Sequence, residues 1–570
     1  MDGTTGERVD VCIIGAGWSG LLAARHMLEN GLSVVLLEKR EGLGGVWRFS
    51  PDPEIVTVME STITSSSAAV TEASDFPMDL DFGNFVDHRE ILDYLERYAA
   101  HFDLTRRIRF GCAVESATRE GGRWRVRAGK ATISARNLVV SAGLHHRRKA
   151  LRGPLAAFTG ESLHVGALKS IDASSFGPGD RVLVYGGGES ASDVVEQLVK
   201  TDAAITWALP NGQHFFRKAA FPDRAGPGRY DRHRDSPLDE ASSRCIQLVA
   251  PFHRGKPGMR WLCLIGSTGS VIDYEGHGIP QWRKGVPFMR AFINKNGHVV
   301  EHVKTGRVRA EGAVTRVDGR EVTFAGGRRG DFTHVIACTG YRAELSFLPQ
   351  ALRERPVEDR YKLIFDPDEP SVAFIGYARP TVGSLPMMSE VQCFYAARVF
   401  SGQVALPSAA AMGASAARDR AARDAFFMHR RRPAGLVHII DYGRDVSALA
   451  GVRPHYGKLF LRSPVAWLKT FFSPGMAAQF RLSDPQTRGA AVAQIWRRQR
   501  LRYFAYPFVY LGARALGVDV VLDGVHALRR RLQRRRAAAA RDGAGEARAR
   551  EPAARGPWAA RVRPSVAVGE

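Results

Sequence analysis

The chain is 570 residues long, with 45% hydrophobic and 24% charged residues. That balance is ordinary for a globular protein and the length exceeds one core, so two or three domains are expected. The net charge of +23 is unusual, and much of it is confined to residues 529–570, where twelve arginines face four acidic residues. This Ala-, Arg-, Gly- and Pro-rich segment lacks apolar periodicity and reads as a disordered basic tail, either attracted to an anionic surface or simply solvated.

Residues 1–10 are polar and run straight into an apolar strand at 9–14, leaving no room for a secretory signal. The strand enters Gly15-Ala16-Gly17-Trp18-Ser19-Gly20, after which Leu21, Leu22, Ala24, Met27 and Leu28 fall at helical spacing within 21–30. Gly15 permits the tight turn, Gly17 lets the backbone approach a pyrophosphate, and Gly20 lets helix pack on strand. Phosphate oxygens then meet free N–H groups at a helix N-terminus. Gly31 ends the helix, and a second apolar strand, 33–37, ends at Glu38, eighteen residues beyond Gly20. A carboxylate at that place accepts the ribose hydroxyls of a dinucleotide.

Residues 41–83 carry little regular signal. Strands are expected at 111–114 and 124–128, and the run 138–140 enters the turn Ser141-Ala142-Gly143. His145 and His146 read as a polar loop feature. A second strand, turn and helix follows: strand 180–185, then Gly186-Gly187-Gly188-Glu189-Ser190-Ala191, then helix 191–200, with Ala191 in place of the third glycine. This is the pocket of a second dinucleotide. A 2′-phosphate needs cations after the next strand, 204–208, but Leu209-Pro210-Asn211 stand there. Arg217 is the candidate for a bidentate grip, with Lys218 beside it, and both are otherwise solvated surface charges. Glu189 repels a phosphate unless it points outward.

The apolar run at 334–341, ending Cys338-Thr339-Gly340-Tyr341, matches the strand and turn at 138–143, and Phe374-Ile375-Gly376 reads as a last strand of the same unit. The expected architecture is α/β: two Rossmann-like dinucleotide-binding domains, the FAD domain split by an inserted NADP domain, with a C-terminal helical extension. The expected divisions are 1–155 and 331–450 for the FAD-binding domain, 156–330 for the NADP-binding domain, 451–528 for the extension and 529–570 for the tail.

The six cysteines, at 12, 112, 245, 263, 338 and 393, form no Cys-x-x-Cys pair or histidine-paired metal spacing. Cys12 and Cys338 fall in apolar strands, as buried reduced thiols of a reducing compartment do. No catalytic triad, metal site or paired carboxylates stand out, which suits redox chemistry carried by cofactors. The late apolar run 503–513 is too short to span a bilayer and is interrupted by Pro507, Gly512 and then Arg514. With Trp496, Arg497, Arg498, Arg500 and Arg502 before it, the run fits a membrane interface, or else packs on the protein's own surface.

The stretch Phe158-Thr159-Gly160-Glu161-Ser162-Leu163-His164-Val165-Gly166-Ala167-Leu168-Lys169 closely resembles the fingerprint of the flavin-containing monooxygenases, with Leu168 where the family has an aromatic. Gly44-Gly45-Val46-Trp47-Arg48-Phe49, Ser74-Asp75-Phe76-Pro77, Ala337-Cys338-Thr339-Gly340-Tyr341 and Gln479-Phe480-Arg481-Leu482 are similar to family sequence in the same order, over about residues 8–520. The resemblance implies an enzyme in which NADPH reduces bound FAD, and the flavin captures dioxygen as a hydroperoxide. That intermediate gives one oxygen to a soft nitrogen or sulfur nucleophile of a lipophilic small molecule, while the retained nicotinamide excludes water.

The implied FAD contacts are Gly15, Gly17, Ser19, Gly20, Glu38, Gly45, Val46 and Trp47, with Ser65, Ser66 and Gln392. Gly186, Gly188, Ser190, Ala191, Ser192, Asp193 and Arg217 are implied for NADPH, and Thr339 and Gly340 are implied as further cofactor-binding residues. No metal is implied. His164 reads as part of the interdomain connection rather than as an acid or base.

Three departures matter. Ser65 aligns with the family's asparagine near flavin and nicotinamide and offers one hydroxyl where an amide offers two donors and an acceptor, so it is the candidate catalytic position and predicts a shorter-lived hydroperoxide. Glu189 replaces the family's asparagine, and the turn after 208 is poor in arginine; together these predict relaxed NADPH preference. Rival readings are a Baeyer–Villiger enzyme acting on a ketone, a poorly coupled NAD(P)H oxidase, and a degenerate membrane-associated scaffold. A dithiol reductase lacks its cysteine pair. The expected setting is cytoplasmic or peripheral on the endoplasmic reticulum or another intracellular membrane, with residues 496–536 facing an anionic surface and no nucleic-acid partner.

Overall fold

A computed structural model describes residues 7–215, 218–220, 231–234, 236–237, 239–241, 243–245, 292–381, 383–427 and 434–498, with 504 and 508. The first glycine-rich turn rises from a sheet ordered Ile108–Arg109, Val34–Leu37, Glu7–Ile14, Ala131–Val140, Arg123–Ala128, Ser116–Glu120. The first four strands are parallel and the last two antiparallel; Val372–Phe374 lies parallel to the end of Ala131–Val140.

The strand Glu7–Ile14 feeds two cores, alternating between them over residues 11–14. Val11 and Ile13 join the helices Trp18–Glu29 and Leu385–Phe400 on one face, while Val9, Cys12 and Ile14 join Trp124, Val126 and Phe374 on the other. Burial on both faces is why these strands read as nearly continuous apolar runs.

The second turn rises from a separate, all-parallel sheet ordered Val308–Glu311, Ala204–Ala208, Arg181–Tyr185, His334–Ala337, Glu161–His164. The strand His334–Ala337, assigned from sequence to the returning outer domain, is therefore a central strand of the second sheet. An apolar run of four residues fits the middle of either parallel sheet, and only pairing separates them. Cys338 lies just past this strand rather than within it.

The strand expected at 111–114 is absent. The edge strand is Ile108–Arg109, and Gly111, at φ +64°, already turns the chain away.

The C-terminal helices do not hang free of this scaffold. Buried Arg481 bonds Glu29 at 2.7 Å, Asp75 at 2.9 Å and the Ser74 hydroxyl at 2.6 Å. Arg498 bonds Glu72 at 3.0 Å, with Gln494 on the same carboxylate at 3.1 Å. Both arginines thereby grip residues 72–75, which follow the short helix Ala68–Thr71 that leads on from the loop bearing Ser65. Arg498, expected to face a membrane, is instead turned inward because Glu72 is buried and needs a cation.

Candidate active site

At the first turn the chain closes around itself. Gly15 adopts φ +100°, and a Cβ there would lie 2.7 Å from the Ser141 carbonyl oxygen; one on Gly20 would lie 1.9 Å from that of Gly15. Gly17 caps the helix Trp18–Glu29 with no side-chain bond, so the first N–H groups retain capacity for a phosphate. The segment 44–47 runs against this turn. Gly44 N–H donates to the Ala16 carbonyl at 3.0 Å, and a Cβ on Gly45 would lie 3.1 Å from Gly17 Cα. Arg40 donates to the Gly45 carbonyl at 3.1 Å, the Val46 carbonyl accepts from Val58 N–H, and the Trp47 ring sits edge-on to Trp18 with centroids 6.4 Å apart.

Buried Glu38 accepts from Ala16 N–H at 2.8 Å and Arg40 N–H at 3.0 Å. Each carboxylate oxygen keeps a lone pair for a ribose hydroxyl, so Glu38 holds the turn and remains fit to hold its ligand. Ser19 points toward the helix Leu385–Phe400, 3.0 Å from the Ser389 hydroxyl. Gln392 is fully buried, accepting from Gly376 N–H at 3.0 Å and donating to the Tyr442 hydroxyl at 2.7 Å. It positions the backbone at Gly376 instead of opening onto a pocket.

Residues 64–67 are held between Val86 on one side and Lys218 and Asp239 on the other. Thr64 N–H donates to Val86, and Val86 N–H donates back to the Thr64 hydroxyl. Ser67 N–H donates to Asp239 at 2.8 Å, and the Ser66 hydroxyl pairs with Thr71. With its neighbours so fixed, half-buried Ser65 has no side-chain hydrogen bond among the described residues. Lys218 is buried, which removes the solvated-surface alternative for it: its Nζ lies 3.4 Å from the Thr64 carbonyl oxygen and 5.3 Å from the Phe85 ring. Burial and the neighbouring Glu240 push the Asp239 carboxyl up to about 7.

The second turn is more open. Gly186 adopts φ +133°, where a Cβ would lie 2.2 Å from the Cys338 carbonyl oxygen. Gly188 caps Glu189–Leu198 with no side-chain bond, and a Cβ there would meet nothing within 4 Å. Ala191 is buried in the second core, where the third glycine of the motif packs, and half-buried Ser190 lies in the first turn of the helix. Ser192 accepts from Asn294 at 2.7 Å and Asp193 from Asn296 at 2.7 Å. Both side chains are therefore committed to a segment a hundred residues away.

Glu189 does not point outward. It accepts from Lys295 N–H at 2.8 Å, and burial raises its pKa against the opposing pull of Lys295 and Lys218. Asp193 is pushed up to about 8 by burial, with Glu196 and Glu189 adding repulsion. Asn294, Lys295 and Asn296 were not foreseen, since nothing in their local pattern marks them. Arg217, the expected phosphate ligand, lies outside the described residues, as do Arg500, Arg502 and residues 529–570.

The join between the sites is built on backbone. His164 accepts from Gly166 N–H through Nδ1, and its Nε2–H donates to the Gly340 carbonyl at 3.1 Å, the connecting role expected of it. Thr339 donates to the Lys149 carbonyl, and Lys149 N–H returns a bond to Gly340. In the fingerprint, Leu168 packs in the second core. Lys169 is buried, donates to the Thr57 hydroxyl at 3.1 Å and is held down to about 8 chiefly by burial.

One mixed and one all-parallel sheet, each with a parallel strand leading into a glycine-rich turn and an uncapped helix N-terminus, and with a carboxylate after the second strand of the first, fit a two-dinucleotide flavoprotein. The chain belongs to the flavin-binding monooxygenase-like family, whose profile matches residues 8–220 and 270–504. It is 28% identical to mouse dimethylaniline monooxygenase (N-oxide-forming) 2 over 86% of this chain and 92% of that one. It is also 28% identical to a 4-hydroxybenzoate brominase (decarboxylating) of Marinomonas mediterranea, over 83% of this chain and 90% of that one. Among solved structures, S-allyl-L-cysteine S-oxygenase from Allium sativum shares the fold with a TM-score of 0.56 at 18% identity, covering 86% of this chain and 99% of that one. The protein is thus a flavin-dependent monooxygenase that uses FAD and NADPH.

Proposed function

We propose that this monooxygenase oxygenates a soft nitrogen or sulfur nucleophile of a lipophilic small molecule. The observation that carries the reading is the loop 64–67, pinned by Val86 and by Asp239, with the half-buried Ser65 side chain making no hydrogen bond among the described residues. A serine hydroxyl orients a partner but does not take a proton at neutral pH, so the acceptor must bring its own lone pair, as an amine or thioether does. Bound FAD, once reduced by NADPH, supplies the activation of dioxygen. The chain's residues supply the rest: Glu38 and the first helix hold one dinucleotide, Gly188 and the second helix admit the other, and residues 64–67 screen the space between them from water. The mouse and garlic proteins, named for N-oxide formation and S-oxygenation, support the reading.

A ketone substrate is the second reading. Asp239, near neutrality and bonded to the same loop, can exchange a proton there. Oxygen-coupled NADPH oxidation across a tertiary amine, a thioether, a primary amine and a cyclic ketone separates the two. Turnover of the ketone alone refutes the nitrogen or sulfur reading.

We further propose that the C-terminal helices rest on an anionic membrane. Phe460, Leu461, Val465 and Leu468 are exposed on Tyr456–Arg462 and Pro464–Phe471, Leu461 at 83%. Lys469 lies 4.7 Å from the exposed Trp496 ring, an aromatic and cationic pairing suited to headgroups. Among the described residues no helix is long and apolar enough to cross a membrane. Leu461→Ser with Val465→Ser is expected to abolish co-sedimentation with phosphatidylserine vesicles; unaltered co-sedimentation counts against this face.

A further inference from the structure

Among the described residues, the chemistry above leaves the charge of Arg379 without a role. Arg379 lies on the short strand Arg379–Pro380, tied to Leu436–Val437, three residues beyond Gly376. A Cβ on Gly376 would lie 2.5 Å from the Ser19 hydroxyl, so this segment borders the first turn. The Arg379 guanidinium carbon lies 5.8 Å from the Phe292 ring, two residues before Asn294. Asn294 in turn donates to the Gly188 carbonyl at 3.0 Å, which borders the second turn. Arg379 thus stands between the two dinucleotide sites.

The side chain is half-buried, and among the described residues it makes no hydrogen bond or ion pair. Its charged surroundings are of its own sign. Burial and Arg379 together hold His145 neutral, pushed down to about 4, and Lys149 is depressed by burial, Arg342, Arg379 and Arg152. Lys149 and Arg342 are exposed and flank the linker at 339–341, to which Lys149 is bonded. A guanidinium cannot shed its charge, and burying it unpaired is costly, so an anion must complete the arrangement.

We propose that Arg379, with Lys149 and Arg342 at the rim, receives the anionic group of a ligand lying between the two turns. That group is either the carboxylate of an acidic substrate or a phosphate of the nicotinamide cofactor, and the inference rests on the cleft being the monooxygenase site. A planar fork suits both, since each presents paired oxygens to two parallel N–H bonds.

The test is binding to the FAD-loaded full chain, followed by the flavin absorbance change, with 2′-AMP and benzoate as probes. Arg379→Gln is expected to weaken at least one probe tenfold or more. Loss with 2′-AMP identifies the cofactor phosphate as the source, and loss with benzoate identifies a substrate carboxylate. Lys149→Glu, at an exposed position, is expected to weaken the same probe several-fold and serves as the deciding variant if Arg379→Gln does not retain flavin. Unchanged affinity for both probes in the deciding variant, or no millimolar binding of either by the parent, overturns the proposal. NADPH-dependent oxygen uptake measured in parallel keeps the two readings apart. A protein that consumes oxygen while its variants bind as the parent does retains the monooxygenase reading and loses this one.

Discussion

The two glycine-rich turns obey one grammar but are built differently. The first is closed by its own chain: the segment 44–47 lies against it, Glu38 grips Ala16, and added methyl groups on Gly15, Gly20 or Gly45 would strike backbone. The second is tight at Gly186 but presents Gly188 to open space, and its acidic residues Glu189 and Asp193 are occupied with Lys295 and Asn296. A closed cradle suits a cofactor that stays through many turnovers, and an open one suits a cofactor that must enter and leave each cycle. The same motif thus serves residence or exchange according to what packs over it.

The sharpest way to break this comparison is a methyl group in each turn. Gly20→Ala places a Cβ 1.9 Å from the Gly15 carbonyl and is expected to weaken FAD binding on the order of a hundredfold, about 2.7 kcal/mol, seen as colourless protein with a low visible-to-ultraviolet absorbance ratio. Gly188→Ala meets nothing and is expected to leave flavin content and melting temperature as in the parent. Equal flavin loss in both would abolish the distinction.

Next in size is Glu189→Gln. Because the folded pKa is raised, Glu189 is neutral at low pH and gains charge as pH rises, so the parent's KM for NADPH should climb with pH and the variant's should not. At the alkaline end the variant is expected to bind NADPH about threefold to tenfold better and to discriminate better against NADH. A KM with the same pH profile in both proteins sinks this account of the second turn.

Asp193 gives a smaller effect, on stability. Its pKa is raised from 3.8 to about 8, so between those values the folded state holds a proton that the unfolded chain has released, and stability falls as pH rises through the window. Asp193→Asn should flatten the fall in melting temperature across that range by a few degrees, on the order expected from proton linkage. A parent whose melting temperature rises steadily over the window has the opposite sign.

The smallest expected change is Ser65→Asn. Restoring two donors and an acceptor to the loop between the sites should lower hydrogen peroxide formed per NADPH by about twofold to fivefold. Peroxide yield that does not move would leave Ser65 without influence on coupling.

Much of this was legible because each turn is local. Glycine spacing, the preceding apolar strand and the carboxylate after the second strand are short-range chemistry, and Gly15, Gly17, Gly20, Glu38, Gly186 and Gly188 stand where that chemistry requires. Less legible was anything fixed by partners distant in the chain. His334–Ala337 is apolar enough for either sheet, and only its pairing with Arg181–Tyr185 and Glu161–His164 decides which. Lys218 reads as a surface cation until Thr64 and Phe85 are found around it, and Arg498 reads as membrane-facing until Glu72 is found buried beneath it.

The sequence by itself determined that this protein has two dinucleotide turns of unequal fidelity, because backbone conformation and phosphate recognition depend on residues a few positions apart. The tertiary structure alone decided which turn is sealed, where Glu189 points and that the Arg379 side chain has no hydrogen bond or ion pair among the described residues. Burial and charge pairing are set by segments 106 to 452 residues away, whose approach no local pattern encodes.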